Sequence, residues 1–299
     1  APHGEAASCT IEASENTLTV TFEENGGSAV TDITGLAYNV AISAPAGSIK
    51  TGYIFVGWYK EASCTNLWDF SSDKVTDDIT LYAKWTPAAY SITYHLDGGT
   101  VSDNPETYTV ETDSFTLNNP TRTGYTFAGW TGTGLDEATE SVTIEKGSTG
   151  DRTYTATWTA NTYTVAFDQN ADDAAGEMTA QTFAYGQKQV LTANAFTRTG
   201  YTFSGWNTEA DGSGTMYSDQ QEVENLSATD GAAITLYAQW TANSNTAYTV
   251  QHWQQNLNGG NEHNDTNYTL TATKNLTGTT GASVTPAIKF YDGFTAPGA

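Results

Sequence analysis

The chain has 299 residues and a formal net charge of −23, from 34 acidic against 11 basic side chains, with no Lys/Arg cluster anywhere. That balance argues against nucleic acid and against an anionic membrane surface, both of which are bound through basic side chains. No apolar run reaches the roughly 20 residues needed to cross a bilayer. Ala1-Pro2-His3-Gly4 does not open a signal peptide, and Cys9 and Cys64 are too few for a disulfide framework.

Residues 1–16 form a lead-in without the pattern that follows. Within it Cys9, Ile11 and Ala13 alternate, as in a short strand. Cys9 and Cys64 do not recur in later segments, and the sequence admits a Cys9–Cys64 bridge, two inert thiols, or a bridge to sequence outside residues 1–299.

From residue 17 the same order of elements is written three times. An opening strand shows period-two alternation at Leu18, Val20 and Phe22, then at Tyr90, Ile92, Tyr94 and Leu96, then at Tyr163, Val165 and Phe167. It ends at Asn25-Gly26-Gly27 or Asp97-Gly98-Gly99, where glycine supplies the positive φ of a tight hairpin turn. The third copy has Gln169-Asn170-Ala171-Asp172-Asp173 instead, which predicts a longer or differently shaped loop. A polar middle follows, running to Pro45 in the first copy and Pro120 in the second.

Next comes the signature strand: Gly52-Tyr53-Ile54-Phe55-Val56-Gly57-Trp58, then Gly124-Tyr125-Thr126-Phe127-Ala128-Gly129-Trp130, then Gly200-Tyr201-Thr202-Phe203-Ser204-Gly205-Trp206. Tyr and Phe fall on one face and read as core aromatics. The Trp turns to the other face unless a bulge at the preceding glycine re-aims it. Each copy closes on a strand ending in Trp85, Trp158 or Trp240, with Ala83, Ala156 or Ala238 two residues earlier predicting close packing on a bulky neighbour. Any helix is short, in the polar middle or near Phe70-Ser71-Ser72-Asp73, because no apolar pattern of helical period runs through three turns.

Landmarks roughly seventy residues apart suit small self-contained domains rather than solenoid rungs. The expected division is a lead-in at 1–16, repeats at 17–86, 88–159 and 161–241, and a fourth unit at 246–299. That fourth unit has strands from Tyr248 and Tyr268, an aromatic echo at Phe290-Tyr291-Asp292-Gly293-Phe294, and no closing Ala-x-Trp strand. A sheet without its last strand exposes an edge that can take a strand from another chain. Linkers as short as Thr86-Pro87-Ala88-Ala89 predict an extended, semi-rigid array of mainly β domains, beads on a string.

The Gly-Tyr-x-Phe-x-Gly-Trp strand, followed by Leu81-Tyr82-Ala83-Lys84-Trp85 or Leu236-Tyr237-Ala238-Gln239-Trp240, resembles the internalin B-repeat, or Listeria-Bacteroides repeat, family over residues 17–241. Trp58-Tyr59-Lys60-Glu61-Ala62-Ser63-Cys64 ahead of Trp68-Asp69-Phe70 belongs to the same likeness, whereas Thr131-Gly132-Thr133-Gly134 departs from it. Residues 246–295 are partly similar to the mucin-binding-protein-like repeat. The resemblance implies β-grasp-like domains, a place in bacterial surface or secreted proteins as stalk or adhesion repeats, and no enzymatic activity.

No chemistry stands out. His3, His95, His252 and His263 occupy non-equivalent places without a nucleophile motif, and the sequence names no catalytic residue, cofactor or metal site. Asn261-Glu262-His263-Asn264-Asp265 gathers oxygen ligands but lacks the order of a calcium loop. Lys84 and Lys289 are the strand lysines to inspect for isopeptide links; Tyr59, Tyr82, Tyr217 and Tyr237 are the outward-facing aromatics that a glycan or protein ligand would need. The expected role is a non-catalytic stalk, spacer or adhesin segment, extracellular or at the cell surface, with other surface domains, host glycan or host protein as partners. The alternatives are a filament subunit joined head to tail to copies of itself by strand donation from residues 1–16, and a glycan- or protein-binding module.

Overall fold

The computed structural model describes residues 17–257, 264, 266–290 and 292. Contacts group the chain into two compact units, Ala1–Arg122 with Phe127–Trp158, and Thr123–Thr126 with Thr159–Ala299. Every regular element among the described residues is a strand.

In the first unit, the first repeat has β1 (Leu18–Glu23), β2 (Ile33–Leu36), β3 (Tyr53–Tyr59) and β4 (Ile79–Pro87) in the order β2-β1-β4-β3. The central pair β1 and β4 is parallel, with Val20 opposite Ile79 and Phe22 opposite Leu81. The outer strands run antiparallel to their neighbours. One face of this sheet buries Val20, Phe22, Trp58, Leu81 and Ala83 beneath Ile42, Trp68 and Val75 from the connecting segments.

The second repeat has β5 (Tyr90–His95), β6 (Thr107–Tyr108), β7 (Phe115–Thr116), β8 (Tyr125–Gly132), β9 (Thr143–Ile144) and β10 (Arg152–Ala160). Its sheet repeats the order, β6-β5-β10-β8, with β5 and β10 parallel and a small β7-β9 ladder beside it. It encloses a separate core of Ile92, Tyr108, Leu117, Trp130, Val142, Ile144, Tyr154 and Ala156.

The second unit contains the third repeat: β11 (Thr162–Asp168), β12 (Ala174–Ala175), β13 (Gln181–Ala184), β14 (Gln189–Val190), β15 (Thr197–Arg198), β16 (Tyr201–Asn207), β17 (Met216–Tyr217), β18 (Glu222–Val223) and β19 (Ala232–Ala242). Its five-stranded sheet runs β13-β11-β19-β16-β17, again with a parallel centre of β11 and β19. The core is again its own, drawn from Tyr163 to Trp240. Last come β20 (Thr246–Gln255) and β21 (Tyr268–Gly278), an antiparallel hairpin with no buried residue.

The short helix expected near Phe70 is a single turn instead. Asp73 N–H donates to the Asp69 carbonyl at 2.8 Å, and the Asp69 carboxylate caps that turn by accepting the Ser71 N–H at 2.9 Å. Residues 282–290 carry no strand, so the aromatic echo forms none up to Phe290; Tyr291 and residues 293–299 lie outside the described residues.

Candidate functional site: the aromatic strand and the joints between repeats

The signature strand is two devices in one. Its second half, Phe-x-Gly-Trp, makes the core. Register slips between Phe55 and Gly57, and between Phe203 and Gly205, so one extra residue bulges out. The bulge returns the indole to the face of the Phe, and Phe203 and Trp206 meet edge to face at 4.9 Å. Gly205 sits at φ 137°, and a Cβ there would come within 2.7 Å of the Tyr217 carbonyl oxygen. A side chain would thus be strained by backbone and neighbour alike.

Trp58, Trp130 and Trp206 are buried, and Ala83 and Ala238 stand directly opposite Trp58 and Trp206 in register. In both sheets the bulky residue directly across from the small alanine is this Trp. The indole N–H groups of Trp130 and Trp206 find no acceptor among the described residues. That costs about 1–3 kcal/mol each, outweighed by the burial of a whole indole.

The closing tryptophans Trp85, Trp158 and Trp240 cover the end of the opening hairpin. Their indole N–H groups donate to the carbonyls of Glu24 at 2.8 Å, Leu96 at 3.1 Å and Gln169 at 2.8 Å. Gly27 and Gly99, the second glycine of each turn, lie so close to Trp85 and Trp158 that any Cβ would overlap the ring. All three copies hold a positive φ at the first turn residue, Asn25 at 50°, Asp97 at 45° and Asn170 at 52°, but the third has Ala171 where the others have a glycine of positive φ. There the indole rests on a differently shaped loop.

The first half of the strand, Gly-Tyr, is not core. Tyr53, Tyr125 and Tyr201 belong to none of the three buried clusters, although Phe55, Phe127 and Phe203 pack against them. In the first unit Gly52 lies against Val110 of the next repeat, where a Cβ would overlap the valine side chain. The Tyr53 hydroxyl donates to Glu111 Oε1 at 3.0 Å, and this bond raises the tyrosine pKa. Ala88 N–H closes the joint by donating to the Gly52 carbonyl at 2.9 Å.

The second unit repeats the device with an asparagine in the linker. Asn243 N–H donates to the Gly200 carbonyl at 2.8 Å, its own carbonyl accepts from Thr280 N–H at 3.0 Å, and its Oδ1 accepts from the Thr202 hydroxyl at 2.6 Å. Gly200 lies against Thr280, and Arg198 stacks over the Tyr201 ring at 3.8 Å. Residues 123–126 group with this same unit, and there Asn161 bonds Gly124, Tyr185 and Thr126 in the same three ways. Tyr125 meets Tyr185 edge to face at 5.6 Å.

Tyr59 corrects the outward-facing assignment. It is buried because Leu67 bridges to it and Lys84 lies 4.9 Å over its ring. Tyr82, Tyr217 and Tyr237 are half-buried. Lys84 Nζ donates to the Cys64 carbonyl at 3.1 Å. The Cys64 thiol is half-buried, while Cys9, like His3 and His263, lies outside the described residues.

Two open cavities flank equivalent opening strands. One of about 540 Å³ is lined by Phe167, Asp168, Asp172, Glu177 and Met178, and one of about 660 Å³ by Ile92, Tyr94, Asp103 and Glu106. Burial pushes the Tyr94 hydroxyl up to about 12, and it donates to the Pro105 carbonyl at 2.8 Å. Among the described residues no group of three His, Cys, Asp or Glu side chains could hold a metal ion, and no helix is long and apolar enough to cross a membrane.

The family model of the Listeria-Bacteroides repeat domain matches residues 19–84, 90–157 and 163–239. Two relatives are proteins of Evansella cellulosilytica provisionally named as membrane proteins. One is 36% identical over 77% of this chain and 34% of the relative; the other, also named Gly-rich, is 37% identical over 56% of this chain and 19% of the relative. A third is Internalin H of Listeria monocytogenes, 35% identical over 34% of this chain and 19% of the relative. The matched part of the chain thus spans 34% or less of each of these relatives.

Proposed function

This chain belongs to the Listeria-Bacteroides repeat domain family, and from that premise we propose that it is a non-catalytic repeat segment of a bacterial surface or secreted protein, acting outside the cell as a stalk, spacer or adhesin segment. The carrying observation is the division of labour in the signature strand, whose Trp half closes a private core while its Gly-Tyr half locks onto the next module. A chain so built resists bending without needing a reactive centre. The internalin and the two membrane-named relatives support a surface location. Other domains of the same surface assembly, host glycan or host protein are the partners in this reading; nucleic acid and lipid are not. Small-angle scattering of the purified chain tests it: an elongated particle is expected, and a compact globule would sink it.

A second reading is a filament joined by strand donation. Its motivation is that β20 is paired on one edge only among the described residues, where β1, β5 and β11 each carry a closing strand on the other. The proposed donor, residues 1–16, lies outside the described residues. Removal of residues 1–14 should abolish polymers, and unchanged sedimentation would exclude strand donation.

A further inference from the structure

Each joint places the glycine of one module's tip at a similar position of its neighbour, two residues beyond a residue that pairs with the first or second residue of the opening strand. In the second repeat Tyr108 pairs with Tyr90, and Val110 receives Gly52. In the third Phe183 pairs with Tyr163, and Tyr185 receives Gly124. In the last hairpin Gly278 pairs with Thr246, and Thr280 receives Gly200. The tyrosine of the tip then reaches the residue after the seat: Tyr53 bonds Glu111, the Tyr125 hydroxyl lies on Gly186, and that of Tyr201 on Gly281.

The first repeat has the same seat. Leu36 pairs with Leu18, and two residues on stands Tyr38, followed by Asn39. Asn39 holds a left-handed φ of 63°, matching Gly186 at 75° and Gly281 at 73°. Yet Tyr38 is 73% exposed, with no tip upon it among the described residues. An aromatic ring at this place in the third repeat is the surface that Tyr125 packs against.

We propose that Tyr38-Asn39 is a vacant joint seat that binds the Gly-Tyr tip of a Listeria-Bacteroides-type repeat carried by another molecule. The seated glycine lets the backbone close onto the Tyr38 ring, and the tip's tyrosine hydroxyl bonds the Asn39 side-chain amide as Tyr53 bonds Glu111. Spacing selects the source. In the three filled joints only Ala88-Ala89, Asn161, or Asn243-Ser244-Asn245 separate the closing strand from the next opening strand. Residues 1–16 contain no tryptophan, so the Trp-ended motif of the closing strand does not stand at that spacing ahead of Leu18. The inference does not depend on the stalk reading; a rigid spacer and a bare binding module would both carry this seat.

The test uses this chain as its own probe. The core of the third repeat comes wholly from residues 163–240, so a chain ending at residue 242 keeps that core while freeing the Gly200-Tyr201 tip. Labelled chain 1–242 carrying Tyr38→Asp, which has an open tip and a blocked seat, is titrated with the unlabelled full chain and followed by sedimentation velocity. A saturable one-to-one complex is expected, lost when the full chain carries Tyr38→Asp and lost when the probe carries Gly200→Val. Near-ultraviolet circular dichroism confirms that each variant keeps its tryptophan environment. No complex between folded partners, or a complex indifferent to Tyr38→Asp in the full chain, overturns the proposal.

Discussion

The third repeat and the hairpin that follows it are neighbours with opposite economies. Both are built on long, well-registered strands, and β20 and β21 pair along almost their whole length. The repeat adds a second layer over its sheet and buries Trp206, Leu236 and Val165 completely, whereas the hairpin buries nothing. Hydrogen-bonded ladders alone therefore set register, and the covering aromatics make a domain. An isolated two-stranded ribbon is marginal in water, and this one is tied to the third repeat at Thr280, whose N–H donates to the Asn243 carbonyl at 3.0 Å.

The largest effect that would break this contrast is loss of the central indole. Trp206→Ala should cost the third repeat about 3–5 kcal/mol, read as deprotection of the Val165 and Leu236 amides in hydrogen exchange. Leu270→Ala in the hairpin, a 40% exposed position, should stay within about 0.5 kcal/mol. Equal losses would show that the ribbon hides a core of its own. Next in size is Gly205→Val, which must adopt a φ near 137° and displace the Tyr217 carbonyl; about 1–3 kcal/mol is expected from the strained backbone, seen as a lower melting temperature. At the joint, Gly200→Val should accelerate exchange of the β20 and β21 amides while leaving Val165 and Leu236 protected.

The smallest effect compares loops under acid. In the first repeat hydrogen bonds from Ser71 lower the Asp69 pKa, and the Lys60 bond at 2.7 Å lowers that of Asp73. Depressed carboxylates stabilise the fold above their unfolded pKa, near the ordinary 3.8, and that contribution disappears as pH falls through the lower folded values. Protection of the Asp69 and Ser71 amides, relative to their intrinsic exchange at each pH, should thus fall below about pH 4, and Asp69→Asn should flatten that fall. The small ladder between β7 and β9, whose side-chain bond joins the hydroxyls of Thr116 and Thr143, should show no such step.

Alternation made the opening and closing strands legible, and the repeated glycine before tryptophan signalled the bulge without settling it. The joints were not legible. Gly52 and Val110 are brought together only by folding, and a Gly-Tyr pair at the head of an aromatic strand reads as core when alternation is the sole guide. Tyr59 was misplaced for a related reason: Leu67, which bridges to it, comes from a loop with no periodic signal. Asn161 and Asn243 were equally silent, because a linker asparagine acquires meaning only through the three bonds it closes.

One consequence follows from the parallel centre of each repeat. The chain enters a module on one of the two middle strands and leaves on the other, pointing the same way. Tension applied at the ends must slide those strands past each other and load every rung of the shared ladder at once. In β20 and β21, which run in opposite directions, the same pull would open rungs one after another. Under traction the ribbon should yield first and the repeats last, so that in single-molecule force spectroscopy three high-force ruptures follow a weak initial extension.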